Sequence, residues 1–243
     1  MKAMIFAAGL GTRLKPHTNS IPKALVEVGG KPLIQHTIEK LKESGFDEII
    51  INIHHFANQI IEFIESKNSF NIRIEFSDES KMLLDTGGGI KHASHFFNDD
   101  KPFLIHNVDI LSNIDLNDLY SFHSKSFSVA TLVCSERMTS RYLLFDTFNQ
   151  LKGWRNKETG ETKSPICNFD PTKYRELAFS GIHILDPSIF KYMIDFAVKF
   201  SIIDFYIHLS QREKISAFTT ENQRIIDVGK PSTLKDASSF LVS

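Results

Sequence analysis

The chain has 243 residues, of which 42% are hydrophobic, 23% charged and 11% aromatic, near globular averages, so disordered, collagenous and fibrous classes are excluded. With 28 Lys+Arg against 29 Asp+Glu the formal charge nearly cancels, which argues against a broad electrostatic nucleic-acid surface. Cys134 and Cys167 are too few for a disulfide framework and too isolated for a zinc site, and no apolar run approaches the roughly 18–20 residues that span a bilayer. The expectation is a cytoplasmic protein with no membrane and no nucleic-acid partner. Its 21 Phe are scattered through periodic segments and read as core filling.

Apolar runs predict strands at 3–8, 48–53, 72–76, 102–106 and 127–134, alternating with helical patterns at 33–44, 57–66, 89–97 and 116–124. Continuous apolar strands joined by helices imply a largely parallel sheet covered on both faces. After Ser135 the rhythm changes. Segments 142–145 and 151–154 flank an Asn-containing turn and predict a hairpin, and the polar stretch 158–173 predicts a mobile loop. A strand at 178–185, helices at 187–198 and 202–212, a strand pair near 215–218 and 224–228, and a helix from Pro231 complete the chain. One domain over 1–243 is expected, with 136–176 inserted as a hairpin or lid.

The segment from Ala7 to Pro16, directly after the first strand, reads Ala-Ala-Gly-Leu-Gly-Thr-Arg-Leu-Lys-Pro. Glycines at a strand end free backbone N–H groups to face an anion. A dinucleotide fold would need a third glycine where Leu14 stands and an acidic residue about 20 residues on, which is missing. A P-loop fails because Gly30-Lys31 is followed by Pro32. A triphosphate-gripping loop, in which Arg13 and Lys23 add a planar fork and a point charge, competes with an ordinary glycine turn carrying surface cations.

Taken together, Ala7-Ala8-Gly9-Leu10-Gly11-Thr12-Arg13-Leu14, Pro22-Lys23-Ala24-Leu25 and Gly30-Lys31-Pro32-Leu33-Ile34 resemble the start of the sugar-1-phosphate nucleotidyltransferases. The likeness recurs at Asp85-Thr86-Gly87-Gly88-Gly89-Ile90, Asn107-Val108-Asp109, Phe179-Ser180-Gly181-Ile182 and Ile226-Asp227-Val228-Gly229-Lys230-Pro231, so it spans nearly the whole chain. It implies a three-layer αβα, Rossmann-like fold and an enzyme that joins a nucleoside triphosphate to a sugar 1-phosphate. Within the family the chain looks most like N-acetylmuramate 1-phosphate uridylyltransferases, then like mannose-1-phosphate guanylyltransferases. A heptose substrate and a non-catalytic sugar-nucleotide sensor are the other readings. No β-helix domain of the kind larger members append is expected after the catalytic unit, and oligomeric state is open.

The resemblance assigns roles residue by residue. Arg13 and Lys23 would hold the β- and γ-phosphates. Ala8, Gly9, Gly11, Thr12, Asp85, Gly87, Gly88 and Asn107 would contact the nucleotide, and Asp109 and Asp227 would bind Mg²⁺. Gly181 and Lys157 would lie on the sugar side, where Arg137, Arg141, Lys152 and Arg155 add local positive charge. Nucleotidyl transfer is an in-line displacement between polyanions, so positioning and charge neutralisation are its main requirements. Magnesium suits it, taking one or two carboxylates and filling its shell with phosphate oxygens and water. Two positions depart from the pattern. Val108 stands where the family usually has Gly, and Asp85 where related uridylyltransferases often have Glu. A carboxylate at 85 facing the base would accept two N–H groups from guanine but one from uracil; alternatively it caps the following helix.

Overall fold

A computed structural model describes residues 1–241. Its ten-stranded sheet is built around four parallel strands, β1 (Lys2–Phe6), β4 (Glu48–Ile53), β5 (Arg73–Asp78) and β6 (Phe103–Asn107), in the order β5-β4-β1-β6. Between β1 and β4 lie a two-residue ladder, β2 (Glu27–Val28) with β3 (Lys31–Pro32), and helix α1 (Leu33–Glu43). Helices α2 (Ala57–Ser66) and α3 (Asp85–His92) follow β4 and β5, and β7 (Ile110–Ser112) and α4 (Leu116–Ser126) follow β6. Apolar residues occupy successive positions of β1 and β4 because helices cover both faces of the sheet. Ile38 and Leu41 of α1, Ile60 and Ile64 of α2 and Leu119 of α4 pack on one face, and Ile90 of α3 on the other, which gives the three layers expected.

The remaining strands widen this sheet. They are β8 (Ala130–Ser135), β9 (Arg141–Phe145), β10 (Leu151–Asn156), β11 (Thr162–Lys163), β12 (Arg175–Leu185) and β13 (Ile215–Phe218). The eleven-residue β12 is the joint. It runs antiparallel to β9 over its first residues and to β6 and β8 over its later ones. The ladder with β8 slips between Phe179 and His183, where Gly181 adopts φ 74°. A side chain there would put its Cβ 2.6 Å from the Asn107 amide nitrogen, so glycine lets β12 press against the end of β6. The 142–145/151–154 hairpin forms as β9–β10, with Asn149 left-handed in its turn. Through β9 it extends the main sheet. Short helices α5 (Phe190–Met193) and α6 (Ile202–Leu209), strand β14 (Ile225–Asp227) and α7 (Pro231–Phe240) complete the chain.

Four expectations need correction. The 158–173 loop contains β11 and a turn at Pro171–Lys173. The 127–134 strand starts at Ala130, because Phe127 ends α4 in a left-handed conformation, 95% exposed. The 187–198 helix stops at Met193: Lys91 draws the backbone carbonyls of Ile194 and Phe196 to its ammonium, and the chain beyond runs unwound to Ser201. Finally, 215–218 and 224–228 do not pair with each other. β13 pairs in parallel with β8, and β14 antiparallel with β7. No described helix is long and apolar enough to cross a membrane.

Candidate functional site

Because β1, β4, β5 and β6 are parallel, their carboxyl ends and following loops gather at one end of the sheet, where open α/β folds bind ligands. A cavity of about 510 Å³ lies there. Its lining takes in the whole first loop from Ala7 to Arg13, then Lys23, Asn52, Glu79, Asp85, Thr86, Asn107, Val108, Asp109 and Gly229.

The first loop leaves β1 under close control. The side-chain oxygen of Asn52, at the end of β4, accepts the backbone N–H groups of Ala7 (2.7 Å) and Ala8 (3.2 Å). Its amide nitrogen donates to Glu79 (2.8 Å), whose other oxygen accepts the Leu84 N–H (3.0 Å). Asn52 and Glu79 are both buried, so this is a satisfied polar network beneath the loop. Gly11 takes φ 64°, its carbonyl accepts the Thr18 hydroxyl (2.8 Å), and a turn over Thr12–Leu14 follows with Leu14 fully buried. A Cβ at Gly9 would meet no protein atom, so the space glycine keeps free at this position belongs to the cavity.

Opposite the loop, Lys23 hydrogen-bonds Asp109. Asp109 also reaches β14, its carbonyl accepting the Val228 N–H (2.8 Å). In the β7–β14 ladder Asp227 stands across from Ile110, next in sequence to Asp109, which brings the two carboxylates near enough to interact. The Asp227 carboxyl is held above its ordinary range, first by desolvation and then by the charge of Asp109, with Lys23, Arg13 and Arg137 opposing. Arg13 comes up to the same place: its guanidinium and the Asp227 carboxylate both lie about 3 Å from where a Cβ on Gly229 would sit. Two carboxylates and two cations thus converge beside the glycine loop. Asn107 and Val108 lie in the same wall, with the Val108 N–H donating to the Phe6 carbonyl (3.2 Å).

Five expected site residues are not in this lining: Gly87, Gly88 and Asp227, and Gly181 and Lys157, which were expected on the sugar side. The N–H groups of Gly87 and Gly88 donate to the Phe200 carbonyl (2.9 and 3.3 Å), and side chains there would run into the Phe200 ring and the Val198 carbonyl, each at 2.3 Å. Glycine lets the unwound 198–200 segment cap α3, so both positions serve chain packing. Lys157 is outside the cavity as well, ion-paired with Glu176 (2.5 Å) and lying over the Tyr142 ring. Asp85 does line the cavity. Its carboxylate accepts the N–H of adjacent Thr86 (2.6 Å), while the next amides of α3 go to Phe200, so Asp85 does not act as the helix cap.

Asn52, Glu79 and Lys199, which completes the rim, were not anticipated from the sequence. Asn52 carried a signal, being the one polar residue within the 49–53 run of isoleucines in β4. Lys199 carried none.

The geometry describes a cleft for a polyanionic nucleotide at the carboxyl end of a parallel sheet. Over residues 2–243 the chain matches the nucleotidyl transferase family. It is 33% identical over 190 residues to the N-acetylmuramate alpha-1-phosphate uridylyltransferase of Caulobacter vibrioides, covering 77% of this chain and 76% of that one. It is 29% identical over 247 residues to the mannose-1-phosphate guanyltransferase of Yarrowia lipolytica, covering all of this chain but 64% of that longer protein. Among solved structures, HddC from Yersinia pseudotuberculosis complexed with GMP-PN superposes with a TM-score of 0.76 at 26% identity, over 99% of both chains. The chain belongs to the nucleotidyl transferase family and is an enzyme of the sugar-1-phosphate nucleotidyltransferase class.

Proposed function

We propose that this enzyme transfers the uridylyl group of UTP to N-acetylmuramate 1-phosphate, releasing pyrophosphate. The observation that carries the reading is the 33% identity, over 77% of this chain and 76% of the other, with a protein of that activity. The cavity supports it. One oxygen of Asp85 is already engaged by the Thr86 N–H, which suits a base offering a single N–H, as uracil does, better than the paired donors of guanine.

In this reading the backbone N–H groups from Gly9 to Thr12 cradle the triphosphate, and Arg13 and Lys23 neutralise charge that accumulates on the departing pyrophosphate. The sugar phosphate oxygen is already an adequate nucleophile, so no general base is assigned. Asp109 and Asp227 fit a magnesium ion. They are two hard oxygen donors beside the cleft, and a divalent cation would offset both the desolvation and the Asp109 repulsion that raise the Asp227 carboxyl. When bound, the cation supplies charge neutralisation at the phosphates. The protein's own groups set the in-line geometry, with Asn52 and Glu79 fixing the position of the loop. The 136–176 segment is assigned to the sugar side as its cover.

A guanylyl reading is the alternative, favoured by the full-length likeness to HddC with its bound GMP-PN. Mass spectrometry of the product from a mixture of UTP, GTP and N-acetylmuramate 1-phosphate tests the two readings. UDP-N-acetylmuramate supports the proposal, and a GDP-sugar or no nucleotide-sugar overturns it.

A further inference from the structure

The basic residues of the 136–176 segment and the adjoining end of β12 divide sharply when their partners are traced. Lys152 pairs with Asp146, Arg155 and Lys157 with Glu176, Lys163 with Asp204, Lys173 with Asp170 and Arg175 with Glu136. Among the described residues Arg137 and Arg141 make no ion pair, and Arg141 lines neither cavity discussed here. Arg137 stands just beyond β8. It donates one N–H to the Phe179 carbonyl (3.1 Å), two residues before the Gly181 bulge, which anchors the guanidinium and leaves most of its donors unused.

Arg137 borders a second cavity, of about 580 Å³, walled by Ser135, Arg175, Thr219, Thr220, Gln223 and Ile225. Of its acids, Glu136 is taken by Arg175, and Glu221 is on the exposed turn. Two links tie this wall to the first cavity: Ile225 lies two residues before Asp227 on β14, and Phe179, held by Arg137, lies two residues before Gly181, which packs on Asn107 in the first cavity's lining. Arg137 does not line the first cavity, where the proposed reaction assigns Arg13 and Lys23 to the phosphates. An anion seated against Arg137 would lie apart from Arg13 and Lys23, as a second charged group on the sugar substrate would.

We infer that Arg137 is a specificity-determining residue that binds a carboxylate borne by the sugar of the incoming sugar 1-phosphate, seated in the second cavity. The inference rests on the proposed reaction with an acidic sugar and names the side chain that recognises the acid. A planar guanidinium with free N–H groups matches a carboxylate in bidentate fashion, and the hydroxyls of Thr219 and Thr220 add donors beside it.

The test compares N-acetylmuramate 1-phosphate with its counterpart lacking the carboxylate, N-acetylglucosamine 1-phosphate, in wild type, Arg137→Ala and Arg137→Lys. Each is run with UTP and with GTP, so that sugar discrimination is scored with whichever nucleotide supports turnover. In Arg137→Ala the KM for the acidic sugar should rise about 10- to 100-fold, the scale of a lost charge-assisted contact, while the KM values for nucleotide and neutral sugar stay unchanged. Arg137→Lys should recover part of the loss. An equal rise for both sugars would place Arg137 on the phosphate, and no rise for either would remove it from the sugar site; both overturn this inference and leave the reaction standing. Wild-type turnover confined to sugars without a carboxylate overturns this inference and the proposed substrate together.

Discussion

If Gly87 and Gly88 exist for chain packing, alanine at either position should damage stability before it damages nucleotide binding. A Cβ at Gly88 would lie 2.3 Å from the Val198 carbonyl oxygen and 3.1 Å from the Leu84 Cβ, so relief requires backbone to move by about 1 Å. The same shift stretches the Gly88 N–H bond to Phe200. Overpacking of this kind costs about 1–3 kcal/mol, and the helical preference for Ala over Gly returns up to about 1 kcal/mol. Gly88→Ala should therefore lose about 1–2 kcal/mol, a fall in Tm of about 2–8 °C for a chain of this length. At Gly87 the obstacle is the Phe200 ring edge, at 2.3 and 2.4 Å, and a ring can be truncated. Adding Phe200→Leu should then recover stability in Gly87→Ala but not in Gly88→Ala. Chemical denaturation of the singles and doubles reads this coupling, which should reach about 1 kcal/mol for the Gly87 pair. Unchanged Tm with a raised KM for the triphosphate would refute the reasoning and return these glycines to the nucleotide.

Arg13→Ala should lower kcat/KM by an amount equivalent to about 2–4 kcal/mol of transition-state stabilisation, with Tm unchanged; an unaltered rate would detach Arg13 from the leaving group. Asp109→Asn keeps a hydrogen-bonding partner for Lys23 but removes a carboxylate, so magnesium-dependent pyrophosphate release should fall at least about a hundredfold while the fold persists. Turnover near wild type would end the metal assignment. Stability should also depend on pH through the buried histidines, His123 and His183 beside His106. Burial depresses His123 to about 4, against the charge of Asp186, and His183 to about 3, with His106 lowering it further. Both lie below their unfolded value, so the native state binds fewer protons. Their contribution is full above about pH 6.5 and declines as pH falls, by up to about 1.4 kcal/mol per pH unit for each histidine. Denaturation midpoints from pH 7 to 5 should fall less steeply in His123→Gln than in wild type, and parallel slopes would contradict the assignment.

The parallel strands were legible because burial on both faces writes them as near-continuous apolar runs, as over residues 3–6 of β1. Arg13, Lys23, Asp109 and Asp227 were legible through family resemblance, and the fold brings them to one cleft. The packing role of Gly87 and Gly88 was not legible, for a physical reason. Glycine reports that something approaches closely, and whether that is a ligand or the Phe200 segment is a tertiary fact. The same segment hid its own unwinding. Residues 187–198 keep an apolar pattern, yet Ile194 and Val198 are 71% and 62% exposed, because Lys91 and α3 take its backbone carbonyls. Strand partners such as β8 for β13 are long-range choices that no local window records.

The most direct test of the account is the magnesium-dependent initial rate of pyrophosphate release from UTP and N-acetylmuramate 1-phosphate, set beside GTP and mannose 1-phosphate. The account predicts a kcat/KM at least about tenfold higher for the first pair, equivalent to about 1.4 kcal/mol of preferential transition-state stabilisation. Equal or faster release from GTP and mannose 1-phosphate, or none from UTP and N-acetylmuramate 1-phosphate, would contradict it.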